Sequence, residues 1–211
     1  MFGLRREILT DFWPQLIIAQ PLPHIEETEM GGFTNLIYFK QYLSEESTNR
    51  IKKTIESSGE FELGLESELD YDLVADYNGE NYPFRIYYSD AEDDEDFDTE
   101  TKTEFIKKIG YVPKCYIGFM AWTNQKYGQK FIAELMSKIL EIENGLVDFS
   151  AAINPDLSED KEKIKEFVTQ VGGKIMELEY ETANNKIWFT HLADKEFLRN
   201  WIGHKKFYIP K

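Results

Sequence analysis

Residues 60–77 read EFELGLESELDYDLVADY, and residues 78–88 continue NGENYPFRIYY. In the first stretch the odd positions are Phe61, Leu63, Leu65, Leu69, Tyr71, Leu73, Ala75 and Tyr77, with Ser67 as the one polar residue. The even positions are Glu60, Glu62, Glu66, Glu68, Asp70, Asp72 and Asp76, with Gly64 and Val74 between them. A period of two is the pattern of a β-strand with one face toward a core and one toward water. Eighteen residues exceed an ordinary strand, so a break is expected near Gly64 or Ser67. Asn78-Gly79 then supplies the strongest short hairpin signal. A two-residue turn centred there pairs Ala75 with Tyr82, Leu73 with Phe84, Tyr71 with Ile86 and Leu69 with Tyr88. Every pair is apolar on the same face, which supports the register. The same register sets Arg85 opposite Asp72 and Pro83 opposite Val74 in a non-hydrogen-bonded pair. A proline there implies an edge strand over 82–88.

The rest of the 211-residue chain supplies helices to cover such a sheet. Leu16 to Ala19 reads as a first strand ended by Pro21 and Pro23, and Phe33 to Phe39 as a second. Ser44 caps a surface helix to about Ser58. A helix follows over Thr99 to Lys108, and then a buried strand around Cys115. Residues 125–143 carry an apolar stripe of Phe131, Ile132, Leu135, Met136, Ile139 and Leu140, the clearest helix in the chain. Leu146 to Ile153 is a buried strand. Ser158 caps a helix to Val171, stopped by Gly172-Gly173. Lys174 to Glu181 and Lys186 to Leu192 form a hairpin over Asn184-Asn185, which puts His191 opposite Leu178. Asp194 caps a last helix carrying Phe197, Leu198 and Trp201. The sum is an α+β protein: a mainly antiparallel sheet with helices packed on one side, in a single domain spanning 1–211 with an acidic hairpin and loop region at 56–100.

Charge is the second distinctive feature. The chain carries a formal net charge of −15, yet residues 56–100 hold seventeen carboxylates against one base, Arg85. Lysine is absent from Ile55 through Thr101. Like charges on one sheet face lie within the Debye length of about 8 Å, so salt does not fully hide their repulsion. Directly opposite like charges cost about 0.2–1 kcal/mol each. Three uses of such a face compete: binding a basic partner, keeping sheet edges from aggregating, and solubility. Binding is the reading carried forward. Its candidate residues are Glu60, Glu62, Glu66, Glu68, Asp70, Asp72 and Asp76 on the strand, and Asp90, Glu92, Asp93, Asp94, Glu95 and Asp96 in the run DAEDDEDFD. That run reads as a solvated loop. It fails calcium-loop spacing, with no glycine at the sixth position and no glutamate at the twelfth, so no metal or cofactor is assigned.

Catalysis finds little support. The sequence has no HExxH, no paired cysteine and no glycine-rich phosphate loop. His191 and Asp194 are spaced as a base with its orienter, but Asp194 is a better helix cap and no nucleophile is evident. An enzyme or small-molecule binder using the His191 and His204 end is the alternative from a different class. Cys115 is the sole cysteine, without flanking cations to activate it, and reads as a small buried hydrophobe. Arg5 and Arg6 are soon followed by Glu7 and Asp11 with no apolar stretch between, and no run reaches the length of a membrane span. A cytoplasmic protein is expected. An excess of negative charge disfavours nucleic acid and anionic membranes as partners. The basic end (Arg199, His204, Lys205, Lys206, Lys211) is expected to serve as an intramolecular counter-charge or plain surface. The sequence does not set the oligomeric state.

The C-terminal half carries GLVDF at 145–149 and then the spaced set His191, Asp194, Phe197, Leu198, Trp201, His204 and Phe207. Over roughly residues 112–211 this resembles an uncharacterised family of small bacterial intracellular domains, similar in kind to the immunity proteins that accompany toxins. The resemblance implies an immunity-type inhibitor that neutralises a basic toxin or effector domain with a carboxylate surface. A nucleic-acid mimic acting on a host DNA-binding protein is the other form of the same idea.

Overall fold

The computed structural model describes residues 33–64, 67–93, 97, 99–121, 126–150, 153–154, 161–181 and 187–209. The elements below all belong to the compact unit Gly31–Lys211. In chain order they are β1 (Phe33–Phe39), α1 (Glu45–Glu56), β2 (Glu60–Leu63), β3 (Tyr71–Tyr77), β4 (Glu80–Asp90), α2 (Thr99–Ile109), β5 (Cys115–Ala121), α3 (Lys126–Ile142), β6 (Gly145–Asp148), α4 (Lys161–Val171), β7 (Ile175–Glu181), β8 (Ile187–Ala193) and α5 (Lys195–Ile202). The expected strand at Leu16 to Ala19, the cap at Ser158 and the turn at Asn184-Asn185 lie outside the described residues.

Eight strands form one sheet in the order β2-β3-β4-β5-β1-β6-β8-β7. Each described pairing is antiparallel. With the five helices this is an α+β fold. One face of the sheet carries α1, α3, α4 and α5. Its core joins Ile37 and Phe39 of β1, Leu73 and Phe84 of the hairpin and Ile117 and Phe119 of β5 to Ile51, Leu135, Ile139, Val168 and Trp201 from the helices. The stripe that marked α3 in the sequence is buried along its length, from Phe131 to Leu140. The fifth helix, α2, packs against the opposite face. There Phe105 joins Tyr38, Tyr116, Leu178 and Leu192.

The hairpin forms in the register that the apolar pairing demands. Ala75 faces Tyr82, Leu73 faces Phe84, Tyr71 faces Ile86 and Arg85 faces Asp72. Asn78 (φ 57°) and Gly79 (φ 80°) both take the left-handed conformation that a tight primed turn requires. The Asp76 carboxylate accepts the Gly79 N–H at 3.1 Å and braces the turn.

The helices were expected on one side of the sheet, so α2 on the opposite face is a departure, and other details differ as well. The alternating stretch breaks at Gly64, as expected, but there folds back on itself, so residues 60–63 form their own strand against β3. Phe61 lies opposite Leu73 and Leu63 opposite Tyr71, and both side chains stay largely exposed at the sheet edge. Leu69 falls in the connecting turn and does not pair with Tyr88. Strand β4 is internal, not an edge. Pro83 is tolerated because the described pairing with β5 begins one residue later, at Phe84 opposite Ala121. The β7–β8 register is shifted by one residue, so His191 faces Glu177 and Leu178 faces Thr190. That register gathers Met176, Leu178 and Leu192 beneath α2, a tertiary demand that the turn residues could not report.

Leu135 is 1% exposed at the centre of the larger core. Leu135→Ala is expected to lower the unfolding free energy by about 2–5 kcal/mol in urea titration. A loss under about 1 kcal/mol would mean that α3 does not carry the core as described.

Candidate partner-binding surface

The acidic segment resolves into carboxylates that are engaged within the fold and carboxylates that are open. Asp70 is the most engaged. It is 1% exposed, and Arg85 Nε and Nη2 donate to its two oxygens at 3.1 Å each. The lone base of the segment therefore pairs with Asp70, not with its register partner Asp72. Gly64 makes room for this pair. A β-carbon at 64 would sit 2.0 Å from the Asp70 carboxylate. The Gly64 N–H in turn donates to the Asp70 carbonyl at 2.7 Å, which closes the turn from β2 to β3.

Other carboxylates find neutral or cationic partners. Tyr71 Oη donates to Glu56 at 3.2 Å, and Tyr82 Oη to Glu80 at 2.6 Å. Burial, then the neighbouring Glu56, pushes the Tyr71 hydroxyl well above its ordinary pKa. Lys114 Nζ bonds Glu92 at 2.9 Å, and that contact holds the Glu92 carboxyl below its ordinary value. Asp90 is half-buried at the end of β4. Two described apolar residues of the run after it are buried. Ala91 is buried, and Phe97 packs against Tyr38 and Phe105 at ring distances of 5.8 and 5.0 Å. Asp93 is exposed. Glu66, Asp94, Glu95 and Asp96 lie outside the described residues.

Six exposed carboxylates of the segment remain without an ion pair or side-chain hydrogen bond among the described residues: Glu60 and Glu62 on β2, Glu68 in the turn, Asp72 on β3, Asp93 after β4 and Glu100 on α2. Glu62 stands directly opposite Asp72 across the β2–β3 ladder. Like charges in that relation are destabilising. Between this turn and the start of α1 runs a groove of about 610 Å³, lined by Leu43, Glu45, Thr48, Glu68, Leu69 and Tyr88 among others.

The histidine end is built differently. His191 is 3% exposed. Its Nδ1 accepts the Ile153 N–H at 2.7 Å, and burial lowers its pKa to about 4. Asp194 caps α5, accepting the Phe197 N–H at 2.9 Å. The pair offered by the sequence as base and orienter is thus taken up in two separate structural tasks. His204 stacks on Trp201 at 5.3 Å and 20°. Arg199 pairs with Glu141 of α3, outside the acidic segment. Burial likewise raises the Cys115 thiol, the expectation for an inert buried cysteine.

Sequence reasoning missed two buried polar sites. Asp148 ends β6, where a longer strand to Ile153 was expected. Its Oδ1 accepts Ser150 N–H at 2.8 Å and Thr190 Oγ1–H at 2.9 Å, and Ser150 takes a positive φ of 53° to make the bend. Burial pushes the Asp148 carboxyl above its ordinary range, while these donors and Tyr38 pull it back. The Asp within GLVDF was the available signal, since a carboxylate in an apolar strand needs partners. Asn35, on central strand β1, is fully buried with neither side-chain polar atom paired.

A family model matches residues 25–211. The chain belongs to DUF6368, a family of unknown function. The match takes in the acidic segment as well as the C-terminal pattern, so the extent is wider than the resemblance read from residues 112–211. Neither a curated protein nor a solved structure matches the chain. DUF6368 names no activity, and the toxin-immunity connection rests on the resemblance alone. Among the described residues, no helix is long and apolar enough to cross a membrane.

Two predictions test this geometry. Asp70→Ala should cost about 1–3 kcal/mol, because Arg85 loses its fork, whereas Asp72→Ala should stay within about 0.5 kcal/mol. Equal losses in urea unfolding would place the partner of Arg85 at Asp72. The second concerns pH. The folded-state pKa of His191 lies below the unfolded value of about 6.5, so the unfolded chain takes up the proton first. The stability that His191 contributes is complete above about 6.5 and is lost as the pH falls toward 4. Imidazole NMR signals for His191 that remain neutral down to that range would bear this out. Titration near 6.5 would overturn it.

Proposed function

We propose that this protein binds a basic protein partner through the open carboxylates of β2, β3 and the turn between them. The observation that carries the reading is the set Glu60, Glu62, Glu68 and Asp72, all exposed and unpaired among the described residues, with Glu62 facing Asp72. The fold supplies no base there, because Arg85 is held by Asp70. A cationic partner relieves the repulsion that the fold leaves in place. Carboxylates two residues apart on a strand stand about 7 Å from each other, at spacings fixed by the ladder. Glu68 also lines the groove at the start of α1, which combines Leu43, Leu69 and Tyr88 with Glu45. Such a site suits a lysine or arginine, whose stem is apolar and whose head is charged.

In its sharper form the partner is a toxin or effector domain that uses lysines and arginines to hold phosphates, and this protein is an immunity-type inhibitor that occupies them. A DNA-binding protein as the captured partner would favour the nucleic-acid mimic instead. The enzyme alternative loses its main support with His191 inside the fold and Asp194 engaged as a cap.

The test is to capture partners at low and high salt, identify the partner, and measure its association rate at two ionic strengths. The protein with Glu60, Glu62, Glu68 and Asp72 all changed to Lys should fold, since these side chains face water. It should associate about tenfold or more slowly at low salt, with a flatter salt dependence. Unchanged rates with an intact fold would remove the proposal and leave the acidic face as a solubility device.

A further inference from the structure

The geometry points to a specific mode of engagement: β2 accepts an extended strand of the partner along its open edge, with basic residues of that strand seated against Glu60 and Glu62. This rests on the proposed binding of a basic partner and adds how the contact is made.

The argument begins with backbone directions. The two-residue turn at Asn78-Gly79 makes Tyr77 and Glu80 a hydrogen-bonded pair. By alternation, the N–H and C=O groups of Ala75, Leu73 and Tyr71 also point toward β4. Those of Val74 and Asp72 therefore point toward β2, where they meet Glu60 and Glu62. The Gly64 N–H bond to the Asp70 carbonyl continues the same phase. The peptide groups of Phe61 and Leu63 are left pointing outward. Strand β2 is the end of the sheet order, so these groups face no strand among the described residues.

The side chains specify what fits. Phe61 and Leu63 are 39% and 58% exposed. They lie on the face opposite Glu60 and Glu62. An incoming strand that bonds Phe61 and Leu63 sets its other residues across from Glu60 and Glu62 in non-hydrogen-bonded pairs, where side chains come closest. A strand alternating basic and apolar residues satisfies both faces at once. The neighbouring Asp72 adds a second carboxylate next to Glu62. A second copy of this chain is disfavoured in the same place, because it would bring four glutamates together. A long, uncharged, flat edge invites aggregation. This edge is short and acidic, so it excludes most strands and admits a cationic one.

The experiment uses the full chain and a synthetic peptide of alternating lysine and valine, capped at both ends. Binding is expected to protect the Phe61 and Leu63 amides from hydrogen exchange and shift their NMR signals. Leu63→Pro removes an outward N–H without touching the ladder to β3, a position where edge strands tolerate proline. It should weaken the peptide at least tenfold. N-methylation of alternate peptide residues, which keeps the charge, should do the same. If Leu63→Pro and the methylated peptide bind as well as their parents, while changing both Glu60 and Glu62 to Lys abolishes binding, strand addition is overturned and the basic-partner reading stands. If the glutamate changes also leave binding unaltered, both fall. A dimer in sedimentation that Leu63→Pro dissociates would assign the edge to a second copy and also overturn the inference.

Discussion

The pairing of Arg85 with Asp70 is the interaction on which the acidic half of the molecule depends. A buried carboxylate without a partner would be too costly to keep, and the segment offers one base. The fork holds Asp70 beneath Gly64 and fixes the turn that returns β2 onto β3. Without that turn the stretch from Glu60 to Tyr77 would be one long strand. The consequence is an unequal division of charge. Asp70 is paired inside the fold, and Glu68 and Asp72 on either side are left for the surface. The repulsion between Glu62 and Asp72 is therefore a by-product of where the single cation went.

Much of the fold was legible in the sequence because period and turn chemistry agreed. The hairpin register followed from Asn78-Gly79 and the apolar pairing, which holds for three of its four pairs, and the α3 stripe from its spacing. What could not be read was set by tertiary context. Nothing local said that Phe61 and Leu63 would land at an edge beyond the helix layer, or that Arg85 would reach past Asp72 to Asp70. The register of β7 on β8 was decided by the cluster under α2, and a two-residue turn was the wrong guide. Phe97 inside a run of acids is buried against Tyr38 and Phe105, a core role that the charge around it concealed. The open carboxylates Glu60, Glu62, Glu68, Asp72 and Asp93 were on the candidate list from the outset. The sequence could not separate them from Asp70 and Glu92, because ion pairing is a property of the folded arrangement.

The C-terminal pattern acquires a physical meaning. His191 receives the Ile153 amide, Asp194 starts α5, and Phe197, Leu198 and Trp201 fill the core. His204 and Phe207 then pack against Trp201 at 5.3 and 6.0 Å. Residues that look like chemistry when written in a line act here as a latch that ties the last helix to the sheet. A low histidine pKa is the mark of that structural use as much as of catalysis, and the surrounding partners tell the two apart.

The place of β1 bears on how the chain is made. It sits in the middle of the sheet, with β5 on one side and β6 on the other. Phe39 meets Cys115 on one flank and Gly145 on the other. During synthesis the β2–β3–β4 meander can close from its own neighbours as soon as it emerges. The central strand must wait for both later segments. Contacts so distant along the chain form slowly, and a waiting apolar strand is open to wrong pairings. In that interval the dense negative charge of residues 56–100 sets like charge against like between nascent copies, before the molecule has any finished surface to offer.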